Sequence, residues 1–300
     1  VASVFREVGL LCSLWLSTRW LPGRRWRVGA LRELLHFALH FTGSRAVAYF
    51  NTKIAHFFIF PLLGSAALGY YAMAERLTLT PLTRLATTIN RVSFPAFSTI
   101  QDDDALLRKG YVQSVQSLLL SMGPPLVGVF VFAPEVLSLL GKEPALAALR
   151  LLALATLCKV VGTMVGSMFM AKGRTDWSFY WSLFSVFVLV PAMYYIGVPR
   201  GLEGVTSVIA ASSLLFLVLS QQLANRLIGL PFSQYIGHLL RPAAVVAGVA
   251  IALWLARPML MGAPLLVLVQ GAVLGGLATL VLLRLLVWNL CISYWRRLRG

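Results

Sequence analysis

The sequence predicts an all-α integral membrane protein, a polytopic bundle of about eight full transmembrane helices plus one partial helix. Three observations predict it. Apolar residues make up 59% of the 300 and charged residues 12%, where soluble domains carry about a quarter charged. Mean hydropathy is +0.81. The charges divide the chain into long uncharged stretches, and the basic ones gather at the ends of alternate stretches. A water-soluble fold cannot cover that much apolar surface. Soluble enzymes, disordered chains and disulfide scaffolds are therefore excluded.

The elements follow in order. Residues 1–29 read as the end of a preceding helix (Val8 to Thr18) and a basic loop, and residues 30–300 as the transmembrane bundle. A span needs about 20 apolar residues to cross the hydrocarbon. Lys109 to Glu135 encloses 25 uncharged residues, Asp176 to Arg200 encloses 23, Glu203 to Arg226 encloses 22 and Arg257 to Arg284 encloses 26. Arg241 to Arg257 encloses 15, and Arg257 can snorkel to the headgroups. Three further spans contain charges. The expected spans are 33–60, 66–97, 110–134, 145–171, 177–199, 203–225, 242–260 and 264–290. The chain starts at Val1 rather than Met and reads as the later part of a longer protein.

The net charge of +16 would suggest nucleic acid in a soluble protein. Here it fixes orientation instead. Arg19, Arg24, Arg25, Arg27 and Arg32 precede the first full span. Arg108 and Lys109 follow the second, Lys172 and Arg174 the fourth, and Arg226 and Arg241 flank the loop after the sixth. Arg296, Arg297 and Arg299 follow the eighth. The opposite loops are poor in charge. Basic loops stay cytoplasmic, so both ends of the eight-helix unit, including the C-terminus, are expected in the cytoplasm. Trp15, Trp20, Trp26, Trp177, Trp181, Trp288 and Trp295 lie near span ends as an aromatic belt.

Local features add constraints. Cys12, Cys158 and Cys291 are far apart and show no metal or redox spacing. Gly162-x-x-x-Gly166 and Gly271-x-x-x-Gly275 allow close helix packing. Pro124-Pro125 falls inside a span and must interrupt its hydrogen-bond ladder. Pro61, Pro81, Pro95 and Pro191 are expected nearer span ends. No catalytic constellation appears: carboxylates are scarce, and Asp102-Asp103-Asp104 reads as a helix-starting turn before Leu106. No cofactor, metal or nucleic acid is expected.

An ionisable group at mid-bilayer costs about 2.5–3.5 kcal/mol on insertion scales. Several in adjacent helices should therefore face a cavity or one another. In the first full span Arg45 and His56 are eleven positions apart and fall about 20° from each other, with Lys53 about 80° from Arg45 and Asn51 on the other side. In the second, Arg84 and Arg91 nearly superimpose, with Thr80, Thr83, Thr87, Thr88 and Asn90 around them. Glu75 and Arg76 lie nearer its outer end. Arg150 and Lys159 share a later helix. A water-filled cationic cavity formed by Arg45, Lys53, Arg84, Arg91 and Lys159 would lower the cost of carrying an anion across hydrocarbon. For Arg76, Arg91 and Arg150, near span ends, snorkelling explains the charge equally well. Glu75 either neutralises a neighbouring arginine or carries a proton.

Three ordered runs carry a family likeness. They are LLGSAALGYYAMA ending at Ala74, then RVSFPAFSTIQDDDALLRKGY from Arg91 to Tyr111, then APEVLSLLGKE from Ala133 to Glu143. Together they resemble the polysaccharide and O-antigen flippases, the lipopolysaccharide biosynthesis transporters of the multidrug/oligosaccharidyl-lipid/polysaccharide exporter superfamily. The resemblance covers roughly residues 30–175.

It implies a two-lobed exporter in the bacterial inner membrane, of which this chain forms the C-terminal bundle. It also implies alternating access and a substrate of polyprenyl-diphosphate-linked oligosaccharide. Polysaccharide polymerase and assembly proteins would be its partners. Members often carry an aspartate where this chain has Ala55, beside His56, so His56 and Glu75 become the candidates for ion coupling. Three alternatives stay open. One is an exporter of the same fold for a drug or a peptidoglycan lipid precursor. Another is a membrane polymerase or ligase, against which the short outer loops argue. The third is a non-transporting component of glycan assembly.

Overall fold

The computed structural model describes residues 28–100, 103–260 and 262–287, together with Val8, Gly9, Ser13 and Trp15. Side chains are described at those four positions and from Val47 onward, apart from positions 48, 92, 94 and 175. Most of the expected partial helix, the basic run from Arg19 to Arg27, Cys12, Cys291, the Arg45 side chain and the closing arginines lie outside the described residues. Contacts divide the chain into Val1–Ala46 and Val47–Gly300. In the first unit Val28 to Ala46 is helical. The rest concerns the second unit.

No strand occurs among the described residues. The helices are α1 (Val28–Thr99), α2 (Asp104–Val131), α3 (Ala133–Leu140), α4 (Leu146–Gly162), α5 (Val165–Ala171), α6 (Thr175–Ala192), α7 (Gly201–Leu227), α8 (Phe232–Ala256) and α9 (Pro264–Leu282). Six segments among the described residues are long and apolar enough to cross a membrane. Two of them, Tyr49–Thr99 and Asp176–Leu227, are 51 and 52 residues long, about twice what one crossing needs.

Both long segments fold back on themselves. Within α1, Gly64 has φ 87° and ψ 174°, a conformation that only glycine adopts without strain. Lys53 and Glu75 stand eleven residues to either side of it. In a straight helix they would lie about 33 Å apart, yet their side chains meet at 3.3 Å. The arms before and after Gly64 therefore run antiparallel. The second reversal comes where α6 passes through a π-turn, Met193–Gly197, and a 3₁₀ turn, Val198–Arg200, to Gly201 at φ 68°. Across it the Trp181 and Phe216 rings sit 5.8 Å apart. Gly204 packs against the Gly197 carbonyl with no room for a Cβ.

Packing holds the bundle. Lipid tails are as apolar as leucine, so tight side-chain contact rather than escape from water drives helix association here. α4 lies between α2 and α7, and α8 between α2 and α9. One apolar cluster joins the later arm of α1 to α2, α5, α7 and α8 through Leu82, Leu107, Tyr111, Met168 and Val246. A second joins the Gly64 hairpin to α3, α4 and α7 through Ile54, Ile59, Tyr71, Leu149 and Val205. Gly271 lies against the Phe132 ring and Gly275 beside Leu253, so that small-residue pair serves packing inside this chain. Pro124 and Pro125 lie within a continuous α2. Their missing N–H groups leave the carbonyls of Leu120 and Ser121 without a helical donor, but the helix runs on. Pro81 likewise lies well inside its arm.

Polar contacts define two ends of the bundle. At one, Lys172 Nζ pairs with Asp104 at 2.8 Å, Arg108 Nε donates to the Ile228 carbonyl at 2.6 Å, and Gln116 donates to the His238 carbonyl at 2.7 Å. Asp103 caps α2 there, accepting from the amides of Ala105 and Leu106, both at 3.0 Å. At the other, Arg257 pairs with Glu135, and the Lys142 ammonium sits 5.7 Å from the centre of the Tyr70 ring. Arg257 is therefore held by a carboxylate where the sequence suggested a snorkelling cation.

Candidate functional site

The Gly64 hairpin sets the first part of the site. Its reversal brings Glu75 opposite Lys53 and His56. Glu75 Oε1 takes Lys53 Nζ at 3.3 Å, and Oε2 lies 3.2 Å from His56 Nε2. Glu75 is 13% exposed. The carboxylate thus neutralises a lysine and holds a histidine, where the sequence suggested an adjacent arginine. Tyr71 meets the His56 ring edge-on at 5.3 Å. Lys159 of α4 is close enough to interact electrostatically with Glu75.

Behind this cluster lies a pocket of about 330 Å³ between the hairpin, α4, α6 and α7. Its polar wall is Asn51, Thr83, Lys159, Ser185, Ser212 and Ser213. Trp181 and Phe216 close it on the side of α6 and α7. Ser185 and Ser212 donate to carbonyls of their own helices, Trp181 at 2.8 Å and Val208 at 2.7 Å, so their oxygens keep a free lone pair. Lys159 forms no ion pair among the described residues. The pocket offers one unneutralised cation and several hydroxyl acceptors, which suits an anionic or heavily hydroxylated ligand.

A third feature extends the site along the later arm of α1. Arg76, Thr80, Thr83, Arg84, Thr87 and Arg91 fall within about 100° of arc. Arg76, Thr83, Arg84, Thr87 and Arg91 are exposed and Thr80 is half-buried, whereas Leu82, Ala86 and Phe97 on the opposite side are buried. Thr83, Thr87 and Thr88 each turn their hydroxyl proton onto a backbone carbonyl one turn earlier, at 2.7–3.1 Å. The arm therefore carries an apolar face packed into the bundle and a cationic, threonine-lined face that no described element covers.

The expected residues thus separate into groups. Lys53, His56 and Glu75 come together; Lys159 enters the pocket; Arg84 and Arg91 lie on the exposed stripe; and the Arg45 side chain is outside the described residues. Arg150 stands over the Phe130 ring at 5.8 Å, away from this pocket. Among the described residues no three His, Cys, Asp or Glu side chains converge as a metal site. Sequence reading passed over Ser185, Ser212 and Ser213, because a single serine in an apolar run carries little signal. It placed Asn51 on the side away from the cations, and that side faces the pocket.

Residues 1–144 match the family described as polysaccharide biosynthesis protein. The chain is similar to proteins of polysaccharide biosynthesis. It is 29% identical to the lipopolysaccharide biosynthesis protein WzxC of Escherichia coli K12, over 74% of this chain and 46% of that protein. It is 26% identical to the teichuronic acid biosynthesis protein TuaB of Bacillus subtilis, over 78% of this chain and 49% of the relative. With the amylovoran biosynthesis protein AmsL of Erwinia amylovora it shares 22% over 79% of this chain and 63% of the relative. The chain thus spans about half the length of the first two relatives. No solved structure gives a significant match. The likeness carried by the three sequence runs is borne out, as is a multi-pass membrane protein.

Proposed function

We propose that this chain is one lobe of a flippase that moves polyprenyl-diphosphate-linked polysaccharide repeat units from the cytoplasmic to the outer leaflet of the bacterial inner membrane. The observation that carries the reading is the exposed stripe of Arg76, Arg84 and Arg91 on an arm whose other face is packed in apolar side chains. Cations inside a bilayer must face water or protein. A second lobe, supplied by the remaining half of the protein, would close over the stripe and leave an aqueous passage between the lobes. The uncharged stretches and the two chain reversals together favour eight membrane passes, with the end bearing Arg108, Lys172 and Arg226 and the C-terminus in the cytoplasm.

In this reading the stripe and Lys159 stabilise the diphosphate, and the serine and threonine oxygens meet sugar hydroxyls. The two lobes rock to open the passage alternately to each side. Glu75, held between Lys53 and His56, is the group through which ion movement would couple to rocking. The protein is a transporter rather than an enzyme, needs no cofactor, and works beside polymerase and assembly proteins. The test is the full-length protein carrying Lys53→Ala with Arg84→Ala, scored for surface polysaccharide. Stable expression with export lost supports the reading, and normal export from a stably expressed variant overturns it.

A further inference from the structure

The hairpin of α6 and α7 carries a second concavity, nearer the basic end of the bundle than the polar pocket. It is a groove of about 540 Å³. Trp177, Trp181 and Phe184 line it from α6, and Leu219 and Leu223 from α7. Arg226 stands at its end, two residues before the Ile228 carbonyl that Arg108 grips. Arg226 is exposed and forms no ion pair among the described residues, whereas Arg174, stacked on the Trp177 ring at 4.5 Å, is engaged by Asp176. The groove is thus mainly apolar and aromatic, with Tyr180 and Gln222 also in its walls and one unneutralised guanidinium at its mouth. Trp181 belongs to both concavities: one side of its surroundings lines the groove, the other the polar pocket. It also packs against Phe184 and Phe216, with ring centres 5.7 and 5.8 Å away.

We infer that this groove is the loading site for the lipid part of the substrate: a polyisoprenoid chain lies along Trp177, Trp181 and Phe184 while its diphosphate is held by Arg226. The inference rests on the transport reading above and adds where the amphiphile first docks. Charge complementarity selects the occupant. A guanidinium gives a diphosphate two parallel charge-assisted hydrogen bonds, and flat aromatic walls suit an unsaturated branched chain. Trp181 then forms the partition between the docked lipid and the polar pocket, so that the head group must pass it to enter.

The test uses the full-length protein in nanodiscs of phosphatidylethanolamine and phosphatidylglycerol, with a polyprenyl diphosphate bearing a diazirine near its head group as probe. Cross-links are mapped by peptide mass spectrometry. The expected result is saturable labelling of residues 177–184 and 219–226, with half-saturation shifted about tenfold upward by Arg226→Ala and largely restored by Arg226→Lys. A diazirine polyprenol without phosphate should label the same peptides with no dependence on Arg226. Equal labelling by a diazirine phosphatidylglycerol that competes with the probe would overturn the inference in favour of a bulk-lipid groove. Labelling confined to the peptides of Lys159 and Ser185 would overturn the groove and leave the transport reading standing. No saturable labelling anywhere would overturn both.

Discussion

Arg257 and Glu135 are 122 residues apart in sequence, and both Nε and Nη2 of the arginine donate to one carboxylate oxygen, Oε1, at 3.1 and 2.9 Å. The contact ties the start of α3 to the end of α8, at the end of the bundle away from Arg108 and Lys172. Both side chains are partly buried, so removal of one leaves the other desolvated without its partner. Arg257→Ala or Glu135→Ala should each lower stability by about 1–3 kcal/mol, read as a fall in the melting midpoint in detergent. The double variant should cost less than the sum of the two. Strict additivity would show that the pair contributes nothing as a pair.

Glu75 faces Lys53 and His56, and it is the one carboxylate among them. Glu75→Ala leaves the partly buried Lys53 ammonium without its counter-charge and should destabilise the hairpin by about 1–3 kcal/mol. Adding Lys53→Ala should recover part of the loss, because no unpaired ammonium then remains opposite position 75. Thermal melting of the single and double variants measures this, and a double variant less stable than Glu75→Ala would contradict the assignment.

Gly64 has open space around its Cα, so a Cβ would meet nothing within 4 Å. Any cost of substitution there is a backbone cost. Gly64→Ala should destabilise by about 1–3 kcal/mol, and Gly64→Asn by as much, since φ 87° with ψ 174° lies outside the left-handed helical region that asparagine tolerates. Equal melting midpoints for glycine and alanine would mean that the reversal does not depend on this residue.

The fold class was legible because the bilayer enforces it. Charges and unpaired backbone groups are both costly at mid-membrane, so long uncharged runs must be helices. The uncharged run enclosed by Glu203 and Arg226 lies within α7, and Asp103, read as a helix-starting residue, is the α2 cap. What stayed hidden depends on pairs of helices. A wheel drawn for one span groups Arg45, Lys53 and His56, but cannot know that Glu75 returns opposite Lys53 once the chain reverses at Gly64. The same holds for Ser185 and Ser212, which become neighbours across a pocket only because α6 and α7 fold together. Trp181 read as a belt residue, and its place between two concavities has no counterpart in one-dimensional spacing.

Threonine chemistry along the later arm of α1 has one more consequence. Because Thr83, Thr87 and Thr88 point their protons inward, their oxygens show only lone pairs outward, interleaved with guanidinium groups that show only protons. The surface is amphoteric toward hydrogen bonding at every turn. A hydroxyl-rich molecule drifting along it meets a donor and an acceptor in any orientation, so it is wetted evenly and finds no deep resting place.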